Sequence, residues 1–350
     1  MKASVIGIDL GDKKNTICVL DKDGNSIEIC EVSNTTKAMT RYFGKYKNHK
    51  VVVVIEAGTH SAWVSQLIEL LGHEVLIGNP RKLRMIWNSK NKSDVRDAQM
   101  LARIGRFDPQ LLHPIKHRSS NAQADLCVIK ARDCLVQMRT STINRVRSLV
   151  KTTGERLKSC SSASFYKRSF DNIPDQLRPA LEPLLRLIKD LTEQIKIYDK
   201  QIEVLCENKY KETWLPRQII GVGPVTALAF VLTIEEKERF EKSRMVGAFL
   251  GLTPKRDQSG DTDKQLRITK AGDKYLRQLL VSSAHYILGP FGKDCELKRF
   301  GERIAARGGK NAKRRAVVAV ARKLSCVMHR LWVTGEVYDP FYTSAEKQAA

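Results

Sequence analysis

The apolar positions of the first hundred residues come in short runs that switch between the period of strands and the period of helices. Residues 4–9 form an apolar run ending in Asp9, and residues 15–20 and 26–32 follow as strands with Asp23-Gly24 as the turn between them. Three antiparallel strands are therefore predicted first. Asn34 reads as the N-cap of a helix over residues 37–46. The run Val51-Val52-Val53-Val54-Ile55 is β-branched throughout, as in a strand buried on both faces, and it ends in Glu56. A helix over 60–71 closed by Gly72, a strand over 74–77 and a helix over 93–105 complete the pattern, the last with Asp94 and Asp97 in its first turn. Strand and helix signals in this order predict an α/β layer architecture with a mixed sheet.

From residue 121 the pattern turns helical. Residues 121–152 predict one long basic helix carrying Lys130, Arg132, Arg139, Arg145, Arg147 and Lys151. After a serine-rich stretch, Leu184, Ile188, Leu191, Ile195, Tyr198, Ile202 and Leu205 step by four and three, the spacing of a coiled coil. Pro179 and Pro183 argue against extending that helix backward without interruption. The heptads fit two partners equally: the 121–152 helix of the same chain, or another chain. Residues 217–232 place Gly221-Val-Gly223-Pro224 between two apolar helical stretches, as in a helix-hairpin-helix, where backbone N–H groups at a helix start meet a phosphate. An ordinary turn between helices fits the same residues. A polar loop over 255–264, a helix over 270–288 and a basic stretch over 303–323 that leads into an Ala/Val-rich helix follow. The resulting division is 1–115, 116–212 and 213–340, with a tail at 341–350.

Charge sharpens this picture. Lys and Arg number 61 against 38 Asp and Glu, a formal charge of +23 over 350 residues. Residues 1–115 hold 17 basic and 12 acidic side chains, which leaves +18 for the remainder. So large an excess calls for a polyanionic partner, nucleic acid first. Hydrophobic residues at 42% supply enough apolar material for real cores and exclude global disorder. The eight cysteines contain no Cys-x-x-Cys pair, so neither a zinc site nor a disulfide framework is expected. No signal-peptide pattern opens the chain and no apolar run would span a bilayer, so a reducing cytoplasm is the expected compartment. The histidines at 49, 60, 73, 113, 117, 285 and 329 form no ligand-spaced set and read as surface or packing residues.

Four carboxylates carry the candidate chemistry: Asp9 and Glu56 at strand ends, and Asp94 and Asp97 three apart on one helical face. Grouped carboxylates repel unless a hard cation neutralises them, and Mg²⁺ takes such oxygens while keeping waters for a phosphate. The order three strands, helix, strand with these acids is that of a ribonuclease-H-like or RuvC-like nuclease domain.

The segments Gly7-Ile-Asp9-Leu-Gly, Ile55-Glu56-Ala-Gly-Thr, Asn79-Pro80, Lys92-Ser-Asp94-Val-Arg-Asp97-Ala, Ile220-Gly-Val-Gly-Pro, Gly251-Leu-Thr-Pro254, Ser259-Gly260 and Lys270-Ala-Gly272 with Leu276-Arg277 occur in one order. In that set the chain resembles the DEDD transposases of bacterial insertion sequences, which include the Piv DNA invertases and the bridge-RNA-guided recombinases. The resemblance implies a RuvC-like N-terminal domain, a coiled-coil connection and a mainly helical C-terminal transposase domain with a helix-hairpin-helix. It implies an acidic tetrad of Asp9, Glu56, Asp94 and Asp97 that binds Mg²⁺, and Ser259 as the nucleophile. From the residues alone Ser259-Gly260 would be a mere turn. Given the resemblance, Lys255, Arg256, Lys264, Arg267 and Lys270 are placed to offset charge on an attacked phosphodiester. Gly221, Gly223, Arg277, Lys310, Lys313, Arg314 and Arg315 complete the expected nucleic-acid contacts.

The expected function is a transposase that cleaves and rejoins DNA through a serine–DNA bond, in a bacterial cytoplasm at the nucleoid. Donor and target DNA, a structured guide RNA and a dimer or tetramer of this chain are the expected partners, the RNA by resemblance alone. A metal-dependent hydrolytic nuclease, such as a junction resolvase in which Ser259 is structural, and a non-catalytic nucleic-acid scaffold are the other two readings.

Overall fold

The structure, a computed structural model, describes residues 4–83, 93–259 and 262–342, with the side chains of 259 and 262–265 outside that description. Lys92, Gly260 and residues 343–350, which belong to the motifs and tail named above, also lie outside it. The chain divides into two compact units, Met1–Ser120 and Asn121–Ala350.

The first unit is built on a five-stranded sheet of β1 (Val5–Leu10), β2 (Lys14–Leu20), β3 (Ser26–Ser33), β4 (Val52–Glu56) and β5 (Glu74–Gly78). Their order is β3-β2-β1-β4-β5. β1, β2 and β3 pair antiparallel, while β4 and β5 run parallel to β1, so the sheet is mixed as the pattern predicted. Helices α1 (Thr36–Phe43) and α2 (Ser61–Leu70) cover one face, and α3 (Asp94–Phe107) covers the other. Val53 and Ile55 join the core under α1 and α2 with Met39, Phe43, Val64 and Ile68, whereas Val54 joins the core under α3 with Ala98, Leu101 and Ala102. The β-branched run is therefore buried on both faces, because parallel strands in the middle of a sheet are covered twice.

Two local expectations change. Thr35, not Asn34, caps α1, its hydroxyl accepting from Ala38 N–H. Asn34 instead donates to the Gly11 carbonyl at 2.8 Å and ties the β1–β2 turn to the end of β3. Gly72 does close α2: its φ is +92°, and its N–H bonds Glu69 O while that of His73 bonds Ile68 O.

The second unit opens with a helical hairpin of α4 (Ser120–Lys151) and α6 (Arg178–Asn208), the short α5 (Phe165–Ser169) lying between them in sequence. Arg132 pairs with Asp199, Arg139 donates to Thr192 at 3.4 Å, and Tyr210 donates to Asp125 at 2.7 Å, so the helices run antiparallel. Ile143, Val146 and Val150 pack on Leu181, Leu185 and Ile188. Of the heptad positions, Leu184 and Ile188 belong to this cluster, and Ile202 and Leu205 share a second core with Ala122, Leu126 and Ile129 of α4. The prolines do not interrupt α6, contrary to the expectation. Pro179 sits in the first turn, where a backbone N–H has no helical partner, and Pro183 forgoes only a bond reaching back to that turn.

The remaining core surrounds α8 (Pro224–Ile234), which is buried from Thr226 to Ile234. α7 (Trp214–Arg217), α9 (Arg244–Phe249), α10 (Lys274–Leu288), α11 (Glu296–Ala306) and α12 (Ala312–Thr334) complete this unit with a two-stranded hairpin, β6 (Pro254–Ser259) and β7 (Thr262–Ile268). Residues 255–259 and 262–264, expected as part of a loop, are strand residues of this hairpin. They are polar at every position, so no apolar alternation announces the strands. The helix expected from residue 270 begins at Lys274, because Lys270 (φ +55°) and Gly272 (φ +68°) form a left-handed turn and Asp273 caps the helix at Leu276 N–H.

Candidate active site

Asp9 and Glu56 reach a common place because β1 and β4 are adjacent parallel strands. Their register pairs Ile8 with Ile55, so the next residue on each strand is one of the two acids. Adjacent strands lie about 4.8 Å apart. The two carboxylates open into one cavity of about 410 Å³, lined also by Asp12, Gly58, Thr59 and His60. This is the carboxyl end of the parallel strands, the edge where sheets of this kind bind ligands.

Helix α3 brings the other acidic pair to the same edge. It lies on β1 so closely that a methyl on Gly7 would run into the backbone of Ala98 and Ala102, and one on Gly105 into the Val54 side chain. At its far end Arg106 donates to the Lys22 carbonyl at 2.7 Å, beyond the end of β2 that pairs with the start of β1. The helix therefore runs antiparallel to β1, and its first turn, with Asp94 and Asp97, points toward the Asp9 end. Ser93 caps that turn by accepting from Arg96 N–H. Asp97 is buried and Asp94 is exposed. Among the described residues no three His, Cys, Asp or Glu side chains are grouped closely enough to hold a metal ion. The donor set itself is all carboxylate oxygen, which suits a hard divalent cation.

The loop after Glu56 is braced. Ala57 N–H donates to Gly78 O, Gly58 N–H donates to Ser61 Oγ at 2.9 Å, and Ser61 Oγ lies 2.8 Å from His117 Nε2. Burial, with the neighbouring Arg118 charge, pushes the His117 pKa below the ordinary histidine range. His60 faces Asp12 Oδ1 at 3.3 Å through Nε2, while Trp63 Nε1 donates to its Nδ1 at 3.4 Å. The sequence reading of the histidines as surface or packing residues did not place His60 at this cavity, which it lines. The available signal was its position four residues after a strand-end glutamate.

In the second unit Ser259 ends β6, paired in register with Thr262 across the hairpin, and the same register sets Arg256 opposite Gln265 and Asp257 opposite Lys264. Two motifs met in the sequence form the base of this hairpin. Thr269 N–H donates to Thr253 O and Lys270 N–H to Gly251 O, at 2.9 and 3.1 Å. Gly251 (φ +69°) presses on the backbone of Ala271, and Gly272 on the Phe249 carbonyl, so neither position has room for a β-carbon. Arg277 then donates to Leu250 O and Ala271 O, at 2.9 and 2.7 Å, and clamps the crossing. Its guanidinium thus acts first as a brace. Lys255, Arg256, Arg267 and Lys270 are exposed along the hairpin, and Lys310, Lys313, Arg314 and Arg315 are exposed around the start of α12. Gly221 (φ +92°) and Gly223 join the four-residue α7 to α8 and line a second cavity of about 460 Å³ with Tyr286.

Residues 6–154 match a family model described as a transposase, of the DEDD type, and residues 216–291 match one described as the IS116/IS110/IS902 transposase family. The chain belongs to this transposase family. Family members are DNA-cleaving and rejoining enzymes. The transposase for insertion sequence element IS1111A of Coxiella burnetii is 25% identical over 95% of this chain and 91% of its own length. The transposase for insertion sequence element IS1328 of Yersinia enterocolitica is 27% identical over 80% of this chain and 83% of its own. The pilin gene-inverting protein of Moraxella lacunata is 25% identical over 97% and 98%. Membership accords with the mixed sheet, the helical remainder and a divalent-metal requirement. Among the described residues no helix is long and apolar enough to cross a membrane.

Proposed function

We propose that this insertion-sequence transposase cuts and rejoins DNA through Ser259, with Asp9, Glu56, Asp94 and Asp97 holding Mg²⁺ at the phosphate. The observation that carries the reading is the shared edge: two strand-end carboxylates opening into one cavity, with an acidic helical turn directed to the same end of the sheet. The strand order β3-β2-β1-β4-β5 supports a RuvC-like, ribonuclease-H-like identity for the first unit.

Mg²⁺ held by these carboxylates would neutralise a non-bridging phosphate oxygen and orient the phosphodiester. The protein's own part is as follows. Asp9 and Glu56 are fixed by adjacent strands, and Asp94 and Asp97 by the seat of α3 on Gly7. The Ser259 oxygen bonds to phosphorus as the bond to a deoxyribose oxygen breaks, and that oxygen leaves with a proton. The energy of the phosphodiester is conserved in the serine–DNA bond, and the reverse attack by a sugar hydroxyl rejoins a strand without ATP. Lys255, Arg256, Lys264, Arg267 and Lys270, from the same hairpin and its base, offset charge on the attacked phosphate. Gly221 and Gly223, read as a helix-hairpin-helix turn, and Lys310, Lys313, Arg314 and Arg315 hold the DNA backbone, neutralising phosphates irrespective of sequence. A structured RNA that chooses the DNA sites, carried on the basic α4, and assembly into a dimer or tetramer belong to the same reading.

A denaturing gel after incubation with DNA carrying the element's ends and Mg²⁺ tests it. The expected result is a covalent protein–DNA adduct that is absent in Ser259→Ala, and loss of cleavage in Asp9→Asn with nonspecific DNA binding retained. Hydrolysed ends that persist in Ser259→Ala would instead establish a hydrolytic nuclease, and intact DNA a binding scaffold.

A further inference from the structure

The cavity beside Asp9 and Glu56 holds a donor that the acidic tetrad does not account for. Among its described lining residues, His60 carries the only side-chain N–H; Asp9, Asp12 and Glu56 offer carboxylates and Thr59 a hydroxyl. Among these described lining groups, an entering phosphodiester meets three carboxylates, one hydroxyl and one ring N–H. The tautomer of that ring is set by its neighbour. Trp63 Nε1 only donates, and it points at His60 Nδ1 from 3.4 Å, so Nδ1 accepts and the proton of the neutral ring sits on Nε2. Nε2–H now addresses Asp12 Oδ1 across a long 3.3 Å, and the Asp12 side chain is 90% exposed against 30% for His60. A long bond to a solvated carboxylate is easily exchanged for one to a phosphate oxygen.

We propose that His60 is a substrate-contacting residue: its Nε2–H leaves Asp12 and donates to a non-bridging oxygen of the scissile phosphodiester, with Trp63 positioning the ring by holding its tautomer. Asp12 is then a placeholder for the phosphate. The proposal rests on the reading of the Asp9 and Glu56 edge as the place where the DNA backbone is cut. It needs no proton transfer, because Nε2–H remains a donor throughout.

The test uses the full chain and a duplex carrying the element's own end, with single-turnover strand cleavage followed in Mg²⁺, whether the product is an adduct or a hydrolysed end. His60→Ala is expected to slow cleavage by roughly 10²-fold, the effect of removing one donor to developing charge. Affinity for the same duplex in Ca²⁺ should stay within a few-fold. His60→Gln, which keeps an N–H, should recover most of the rate, and Trp63→Phe should lose only a few-fold. Asp12→Ala should fall short of the His60→Ala defect by at least ten-fold. In ¹⁵N-histidine spectra the His60 Nε2 signal should shift when duplex and Ca²⁺ are added to the wild-type protein. Wild-type cleavage by His60→Ala, an unshifted Nε2 signal, or an Asp12→Ala defect as deep as that of His60→Ala would overturn the proposal, the last by making Asp12 the working group. A failure of the serine reading is separable. It would change the product from adduct to hydrolysed end while leaving the His60 dependence in place.

Discussion

Replacing Gly7 with alanine tests whether the seat of α3 on β1 positions the acidic pair. The added methyl would meet the Ala98 carbonyl oxygen and the Ala102 amide nitrogen, both helix backbone, so no side-chain rotation relieves it. Restoring ordinary contact requires the helix to back away by on the order of 1 Å. Overpacking of this kind costs about 1–3 kcal/mol, below the 5–15 kcal/mol typical of a domain, so the first unit stays folded. At about 4 °C per kcal/mol its melting temperature should fall by roughly 4–12 °C. The larger effect falls on chemistry, because an ångström of misplacement at reacting groups costs about 10²-fold in rate. Calorimetry would read the melting shift, and Mg²⁺-dependent cleavage of element-end DNA would read the rate. Gly44→Ala is the control. Among the described residues nothing lies within 4 Å of its added methyl, and φ there is −55°, so stability and rate should match wild type. A Gly7→Ala protein with wild-type melting and cleavage would show that the close seat of α3 does not place Asp94 and Asp97.

In the second unit Gly251→Ala combines a left-handed backbone with a collision against Ala271, and should destabilise by about 2–4 kcal/mol while abolishing adduct formation at Ser259. A denaturant titration paired with the gel assay checks both, and unchanged stability would remove the Gly251 crossing as the base of the hairpin. His329 is buried in α12, donating from Nε2 to Lys237 O at 2.9 Å and accepting from the Ser243 hydroxyl at Nδ1. Burial holds its pKa below the ordinary 6.5, outweighing the opposing pull of the Lys237 carbonyl. The unfolded chain then binds the proton first, so stability should fall as pH drops below about 6.5 and be fully present above it. Urea midpoints between pH 7.5 and 5 should show a shallower loss for His329→Gln, and an identical slope would assign the pH dependence elsewhere.

Much of the first unit was legible in its residues because each strand and helix there announces itself locally. The apolar run ending in Asp9, the β-branched run ending in Glu56 and the Asp94/Asp97 turn after Ser93 all stand where the periodicity put them. The β6–β7 hairpin was not legible. Lys255 to Ser259 is polar at every position, and strand pairing there is set by backbone register and by the crossing of Gly251 with Ala271, two segments twenty residues apart. The heptad spacing of α6 marked an apolar stripe, while the sequence left its partner open; in the structure α4 shares the cores at the two ends of that stripe.

By itself the sequence determined the strand and helix types, the charge that calls for a polyanion, and the ordered motifs that identify the family, because propensity, periodicity and charge are properties of neighbouring residues. The tertiary structure alone decided that Asp9 and Glu56 share a cavity, that Gly7 seats the helix bearing Asp94 and Asp97, that Arg277 clamps the base of the Ser259 hairpin, and that His60 faces Asp12. Those relations depend on which segments pack together, and packing is settled by the burial of whole faces rather than by any local pattern.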